Sequence, residues 1–381
     1  MKRVTEANIV VQHNTTDNEL WKTMDTSGFL DLSACRLCPR SCGVDRISGQ
    51  VGYCGETAAV RAARAALHFY EEPVISGRSG SGAVFFTGCN LGCIFCQNTV
   101  IASSPASSPD SAPAGSANPR RQSGSSEQNE HTTAASDPIS ASASYQTVQK
   151  VPVTPDRLSD IFLQLQAQGA CNINLVTPSH FVPLLIPALK SARRSGLKIP
   201  VVYNTGSYER PEVIAALEGL VDIWLADLKY MSEDLSRTYS HAPDYFSYAS
   251  AAIQEMVRQC PEPLFADGTS TVDAVDDADD PLMVRGVIVR HLALPGCVQD
   301  SKKVLRYLHR TYGDSIFISL MNQYTPTACV QGDPLLGRRL TRREYDRLVD
   351  YAIRIGIRNG FIQGEGTASD TFVPLFDGTG L

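Results

Sequence analysis

The chain has 381 residues, enough to bury a full core as one large domain or two ordinary ones. Charged residues make up 19% and hydrophobic residues 43%, with a net charge of −6, the balance of an ordinary globular protein. No basic run marks a nucleic-acid partner, no apolar stretch reaches the ~20 residues of a membrane span, and MKRVTEANIVVQHN lacks a secretory core, so a cytoplasmic protein without a signal peptide is expected.

In chain order the first landmark is cysteine-rich: CRLCPRSCGVDR and then GQVGYCGE. Cys35, Cys38, Cys42 and Cys54 are spaced C-x2-C-x3-C-x11-C. Four thiolates suffice for a closed zinc site or an auxiliary iron–sulfur cluster, and the glycines among them let the chain wrap around a metal. The segment is read as a metal site in preference to free thiols, with an iron–sulfur cluster preferred to zinc. Of the eleven cysteines seven fall between Cys35 and Cys96; in a reducing compartment that clustering points to ligation rather than disulfides. Cys171, Cys260, Cys297 and Cys329 stand singly and read as small buried hydrophobes.

Next, GAVFFTG reads as a buried strand running into a loop. Ser103 to Gln149 is dominated by Ser, Ala and Pro and offers no core, so a disordered insertion is expected over 103–149. Thr154 and Pro155 then open a helix with a stripe at Leu158, Ile161, Phe162 and Leu165, closed by Gly169. After it come strand NINLVT, helix PLLIPALKSARRSG, strand IPVVYNT, helix PEVIAALEG, strand VDIWLADLK and a helix over Ala249–Cys260. The run DAVDDADD makes 266–281 an acidic loop insertion. Strand GVIVRHL, helix SKKVLRYLHRTYG with Asp300 as its N-cap, strand SIFISLM, helix TRREYDRLVDYAIRIG and strand GFIQ finish the chain.

Repeated strand–helix units with uninterrupted apolar strands imply an α/β fold, a parallel sheet covered by helices. About six or seven units predict a full or partial (β/α) barrel over 76–381, following a metal-binding extension over 1–75. A doubly wound open sheet is the alternative. No GxGxxG loop follows a strand, which lowers a dinucleotide-binding reading.

The segment FFTGCNLGCIFCQN carries Cys89, Cys93 and Cys96 as C-x3-C-x2-C directly after a predicted strand, where barrel enzymes keep their chemistry. So tight a loop can set three thiolates on one face of an iron–sulfur cube. Iron–sulfur proteins commonly give four cysteines to a cluster, so three leave one iron open. A zinc site is the bland reading, but zinc takes four closed ligands.

This motif, with aromatic Phe95 before its last cysteine, resembles the radical S-adenosylmethionine superfamily, and within it the pyruvate formate-lyase activating enzyme-like subgroup. The resemblance is carried also by the N-terminal cysteine segments, NINLVTPSH, VVYNTGSYE, DLKYM, VRHLALPG, LMNQYTP and FVPLFD, nearly the whole chain outside the first ~30 residues and the two insertions. It implies a radical SAM fold, a 4Fe–4S cluster on Cys89, Cys93 and Cys96, and S-adenosyl-L-methionine on the open iron. It implies an oxidoreductase that cleaves this cofactor to a 5′-deoxyadenosyl radical, with activation of a glycyl-radical enzyme as one task. The implied partners are a reductant such as flavodoxin or ferredoxin and a glycyl-radical protein.

Asp227 and Lys229 share one strand face. By the resemblance Lys229 meets the cofactor carboxylate and Asp227 the cofactor or a cation; an ordinary ion pair is the alternative. Asn98, Asn204, Thr205, Arg290 and His291 are further cofactor-binding candidates, Arg290 and His291 facing opposite sides by alternation. After Asn204 and Thr205 the chain reads GS where the family pattern has SG. Where the superfamily often has a GGE-type segment this chain has LVTPSH, so Thr177, Ser179 and His180 become candidates. Two other functions stay open: radical modification of a peptide or small molecule, and a non-catalytic iron–sulfur or zinc protein for electron transfer or scaffolding.

Overall fold

The structure is a computed structural model that describes residues 27–102, 148–269, 281–364 and 373–381. The greater part of both sequence-read insertions therefore lies outside the described residues.

A ten-stranded sheet organises the chain. β1 (Arg61–His68) pairs antiparallel with β2 (Ser81–Phe86) on one side and with the short β3 (Val151–Pro152) on the other. From β2 the sheet continues in parallel through β4 (Ile173–Val176), β5 (Val201–Thr205) and β6 (Ile223–Asp227). Beyond a hairpin strand β7 (Leu264–Phe265), the parallel run resumes with β8 (Met283–Leu292), β9 (Phe317–Met321) and β10 (Gly360–Ile362). No pairing joins β10 to β3 among the described residues, so the sheet is a partial barrel. The central strands are buried on both faces, which is why they read as unbroken apolar runs.

The crossover helices form where the sequence marks them. Thr154 accepts from the Arg157 amide to cap α2 (Pro155–Ala167), after a one-turn α1 (Pro73–Ser76) earlier in the chain. α3 (Val182–Arg194), α4 (Pro211–Ala215), α5 (Glu233–Ser240), α6 (Tyr245–Gln259) and α7 (Val298–Tyr312) follow. α8 (Arg342–Ile355) is held by a reciprocal Thr341–Glu344 cap and stops at left-handed Gly356. No helix among the described residues is long and apolar enough to cross a membrane.

The core has two layers. Helices pack outside the sheet on Tyr203, Trp224, Val287 and Val289. Inside, Val202, Ile223, Leu225, Ile288 and Phe317 meet Val74 and Ile75 of α1 and Phe265 of β7. Those side chains fill the lower barrel and leave the C-terminal strand ends for a cavity.

Four sequence expectations change. β1 has no apolar signature, because its buried positions Ala62, Ala63 and Ala65 are alanines set among arginines, and the sheet begins inside the extension read as 1–75. Asp300 is not an N-cap: α7 starts three residues earlier on Cys297, and the Asp300 carboxylate accepts from the Met231 amide. α6 begins at Tyr245, because Tyr245 is buried and hydrogen-bonded as part of the core. Of the single cysteines, Cys260 and Cys297 are buried as expected, whereas Cys171 is half-buried and Cys329 exposed.

Candidate active site

Three of the parallel strands end in short polar segments at one side of the sheet. β5 ends on Asn204 and Thr205, β6 on Asp227 with Lys229 two residues on, and β8 carries Arg290 one turn of alternation from Leu292. The loop after β2 carries Cys89, Cys93 and Cys96 at that same side. All these residues, with Asn98, line one cavity of about 750 Å³, within the size range of small-molecule sites. His291 does not join them. It alternates to the other face of β8 and is buried there, its Nδ1 donating to the Leu228 carbonyl at 2.7 Å.

The polar floor is one connected network. Arg290 donates from Nε to Asp227 at 2.8 Å, from Nη2 to Asn204 Oδ1 at 2.7 Å and from Nη1 to Glu71 at 3.3 Å. Lys229 donates to the second Asp227 oxygen at 2.7 Å. Glu71 also accepts from Asn174 at 3.0 Å and from Asn204 at 3.3 Å. These ionic side chains are only 10–19% exposed. Burial alone would raise the Asp227 pKa, but Arg290 and Lys229 outweigh it and hold the carboxyl below its usual range. Burial would lower the Lys229 and Arg290 pKa values, and Asp227 reverses that in both. Asp227 thus stays ionised and orients two cations toward the cavity, with N–H groups of both still unspent among the described residues.

Glu71 and its neighbour Glu72 were not visible in the sequence. They fall between β1 and α1, in a segment with no periodicity, and only the path of the chain through the barrel brings them to the cavity floor. Burial pushes both carboxyls up, and Arg290 opposes this. The cavity wall also includes Gln97, which donates to the Gln323 carbonyl at 3.0 Å, and Val373 and Pro374 of the C-terminal segment.

The cysteine loop is shaped by backbone bonds to α5: Gly92 N–H donates to the Ser240 carbonyl at 3.3 Å and Ile94 N–H to the Tyr239 carbonyl at 3.0 Å. Cys93 Sγ lies 3.0 Å from Ser240 Oγ, and the Leu91 amide points at Cys89 Sγ at 3.4 Å. Phe95 turns into the core against Tyr230 and Tyr324. Burial raises the pKa of all three thiols, with Cys93 adding repulsion at Cys89 and Cys96; Cys96 is pushed up to about 11. Lys229 is the cation that opposes this at each. Three soft sulfur donors on one cavity, costly to ionise without a cationic partner, match the demands of a thiolate-bound iron cluster.

Of the three GGE-equivalent residues, Ser179 and His180 are turned away from the cavity. Ser179 and Thr205 both donate to the fully buried Glu209, the latter at 2.6 Å, and Tyr203 reaches the same carboxylate at 3.4 Å. Burial raises Glu209 to about 7. His180 Nε2 lies 2.6 Å from the Thr87 carbonyl, and since a carbonyl only accepts, Nε2 carries the proton. Thr177 alone lines the cavity, in a left-handed conformation with φ of 57°.

The four N-terminal cysteines are gathered on one folded segment. Cys42 Sγ and Cys54 Sγ both lie against Gly52, 3.3 and 3.8 Å from where its Cβ would stand. Burial raises Cys38 to about 12 and Cys54 to about 11, with repulsion from the other thiols of the group adding to it. Among the described residues no three Cys, His, Asp or Glu side chains are placed as ligands of a single ion.

No protein-family model matches the sequence. An uncharacterised protein of Methanocaldococcus jannaschii, MJ0674, is 23% identical over 323 residues, which span 84% of this chain and 74% of that protein. A domain of pyruvate-formate lyase-activating enzyme from Bacteroides vulgatus has a TM-score of 0.33 at 16% identity, over 48% of this chain and 91% of that one. Streptococcus suis SuiB bound to S-adenosylmethionine has 0.40 at 10% identity, over 73% of this chain and 49% of that one. Methylornithine synthase (PylB) has 0.35 at 14% identity, over 62% and 64% respectively. Likeness at this level leaves the function to the chemistry of the site.

Proposed function

We propose that this chain is a radical S-adenosylmethionine enzyme, with a 4Fe–4S cluster on Cys89, Cys93 and Cys96. The observation that carries the reading is the cavity itself: a three-thiol loop and a buried Lys229–Asp227–Arg290 network line the same space. Such a pairing suits a ligand with one end bound to iron and a carboxylate elsewhere. When bound, cluster and cofactor would supply one-electron cleavage of a sulfonium C–S bond and hence a radical able to take a hydrogen atom.

The chain's own residues have three tasks. Cys89, Cys93 and Cys96 would hold the cluster. Lys229, steadied by Asp227, would receive the cofactor carboxylate, and Arg290 and Glu71 fix the two ends of the Asn204 amide beside the site. The apolar interior below Phe317 excludes water from the floor. A flavodoxin or ferredoxin is the proposed electron donor and a glycyl-radical protein the proposed target.

The test is anaerobic reconstitution of the full chain and of a variant with Cys89→Ala, Cys93→Ala and Cys96→Ala. With dithionite, the parent is expected to convert S-adenosylmethionine to methionine and 5′-deoxyadenosine, and the variant to form neither. Continued 5′-deoxyadenosine formation by the variant refutes the reading. Hydrogen-atom loss from a small molecule or peptide instead of a glycyl-radical protein would retain the enzyme class and change the target.

A further inference from the structure

The four-cysteine segment is bolted to the back of the three-cysteine loop at three points. Arg40 stands between Cys38 and Cys42, and its guanidinium reaches across to the Asn90 carbonyl at 2.9 Å, the His241 carbonyl at 2.6 Å and the Ser240 carbonyl at 3.5 Å. The first of these lies between Cys89 and Cys93; the other two are carbonyls at the C-terminal end of α5, Ser240 being shared with the Gly92 amide, where a guanidinium is a natural cap. Stacking on Tyr53, 3.8 Å from the ring centre, fixes the Arg40 stem. Ser240 then passes the restraint on, with its hydroxyl 3.0 Å from Cys93 Sγ. At the second point Gly88, one residue before Cys89, presses on the other segment: a Cβ there would stand 2.7 Å from the Cys54 carbonyl oxygen and 2.5 Å from Glu56. At the third, buried Arg46 lies 3.8 Å from Cys35 Sγ and donates to the His180 carbonyl at 2.7 Å, while His180 holds the Thr87 carbonyl just ahead of the loop.

We propose that an iron–sulfur cluster on Cys35, Cys38, Cys42 and Cys54 sets the shape of the Cys89–Cys96 loop through Arg40, so that the first site is filled before the second reaches its working form. Arg40 is flanked by two of the four ligands, so closing the ligands around a cluster fixes its backbone, and with it the direction of the guanidinium. Besides Arg40, the segment is held by turns, by backbone bonds such as Gly43 N–H to the Cys35 carbonyl, and by side-chain bonds such as Arg46 to the Thr57 carbonyl and Arg210 to Ser41, and none of these joins the four thiols to one another. A cluster places one thiolate on each iron and so suits sulfurs spread more widely than the ligands of one ion. Arg40 acts through Asn90 and Ser240 and is a positioning residue.

The test uses the full chain carrying Cys89→Ala and Cys96→Ala, which leaves Cys93 as a reporter thiol that cannot hold a cluster alone. Reconstitution with ferrous iron and sulfide is expected to load about four irons per chain. It is also expected to slow iodoacetamide alkylation of Cys93 several-fold, read by peptide mass spectrometry. In the same background Arg40→Met is expected to keep the iron and return Cys93 to its metal-free rate. Arg40→Lys, which keeps the charge and a single donor, is expected to fall between and serves if Arg40→Met unfolds on heating below the parent. The proposal is overturned if the four cysteines take up no iron, if Cys93 reacts equally fast with and without it, or if both Arg40 variants are protected as well as the parent. The measurement needs no S-adenosylmethionine, so its failure and the failure of the radical reading are separate results.

Discussion

Arg290 shows how much of the site depends on single side chains. Its guanidinium is shared among Asp227, Asn204 and Glu71, and of these Glu71 has no sequence signal. Glu71→Ala takes one acceptor from Arg290, which keeps Asp227 and Asn204, and removes the acceptor shared by the Asn174 and Asn204 amides, so a loss of about 2 kcal/mol in urea unfolding is expected, with Glu71→Gln milder because it keeps an acceptor. Cofactor affinity, read by equilibrium dialysis, should fall with it. His291 gives a pH test. Burial lowers its pKa to about 4, so the folded state holds it neutral while the unfolded chain binds a proton near its ordinary value. A depressed pKa stabilises above the unfolded value, and that stability is lost as pH falls from about 6.5 to about 4, to a limit of about 3 kcal/mol. His291→Asn keeps a donor for the Leu228 carbonyl and is expected to melt with a shallower dependence on pH across that window. Equal slopes for the two proteins would show that His291 is not the group responsible. The residue types at the strand ends were legible in the sequence, since Asp227, Lys229 and Arg290 all face the cavity. Alternation put Arg290 and His291 on opposite faces, and the structure decided which of the two faces the cavity: Arg290 lines it and His291 does not.

At the scale of elements, the turn after β5 carries its departure from the family pattern in its backbone. The chain reads Gly206–Ser207 where the pattern has Ser then Gly, and Ser207 takes φ of 60°, a left-handed conformation that favours glycine. Among the described residues its hydroxyl is buried without a hydrogen-bond partner. Gly206 has its own reason, since a Cβ there would stand 2.9 Å from Leu91 in the cysteine loop. Ser207→Gly removes the strain and the unpaired hydroxyl and is expected to raise stability by about 1 kcal/mol, measured by denaturant midpoint. A fall in stability would mean that the hydroxyl holds a partner in solution. The crossover helices were legible because caps and apolar stripes are local. β1 was not, because an alanine-rich stretch with two arginines has helical propensity, and only its pairing with β2 makes it a strand.

For the whole molecule, the C-terminal segment completes the wall. The Thr379 carbonyl accepts from the Ala65 amide of β1 and the Ala63 carbonyl from the Gly378 amide, Asp377 pairs with Arg64, and Phe376 packs on Phe85. Gln149 is part of this seam, its amide donating to the Phe376 carbonyl at 3.0 Å. Gln149, the last residue of the insertion read as 103–149, is thus part of the fold. Replacing 103–147 by a short Gly/Ser linker is expected to leave the melting temperature nearly unchanged, whereas carrying the replacement through Gln149 is expected to lower it. A large loss from the shorter replacement would show that those residues pack against the barrel.

Sequence alone determined what is local or compositional. Spacing within a few residues marked the two cysteine groups, strand–helix alternation pointed to a parallel α/β sheet, and composition and a charge run marked 103–149 and 266–281 as expected insertions. Tertiary structure decided what depends on residues far apart in the chain. Glu71 meets Arg290 across 219 positions, and Arg40 meets Ser240 across 200. Such contacts leave no periodic trace, because a side chain's partner is set by how the sheet curls and not by its neighbours in sequence. The joining of the two cysteine groups is of this kind: each motif was readable by itself, and only the fold shows one pressed against the other.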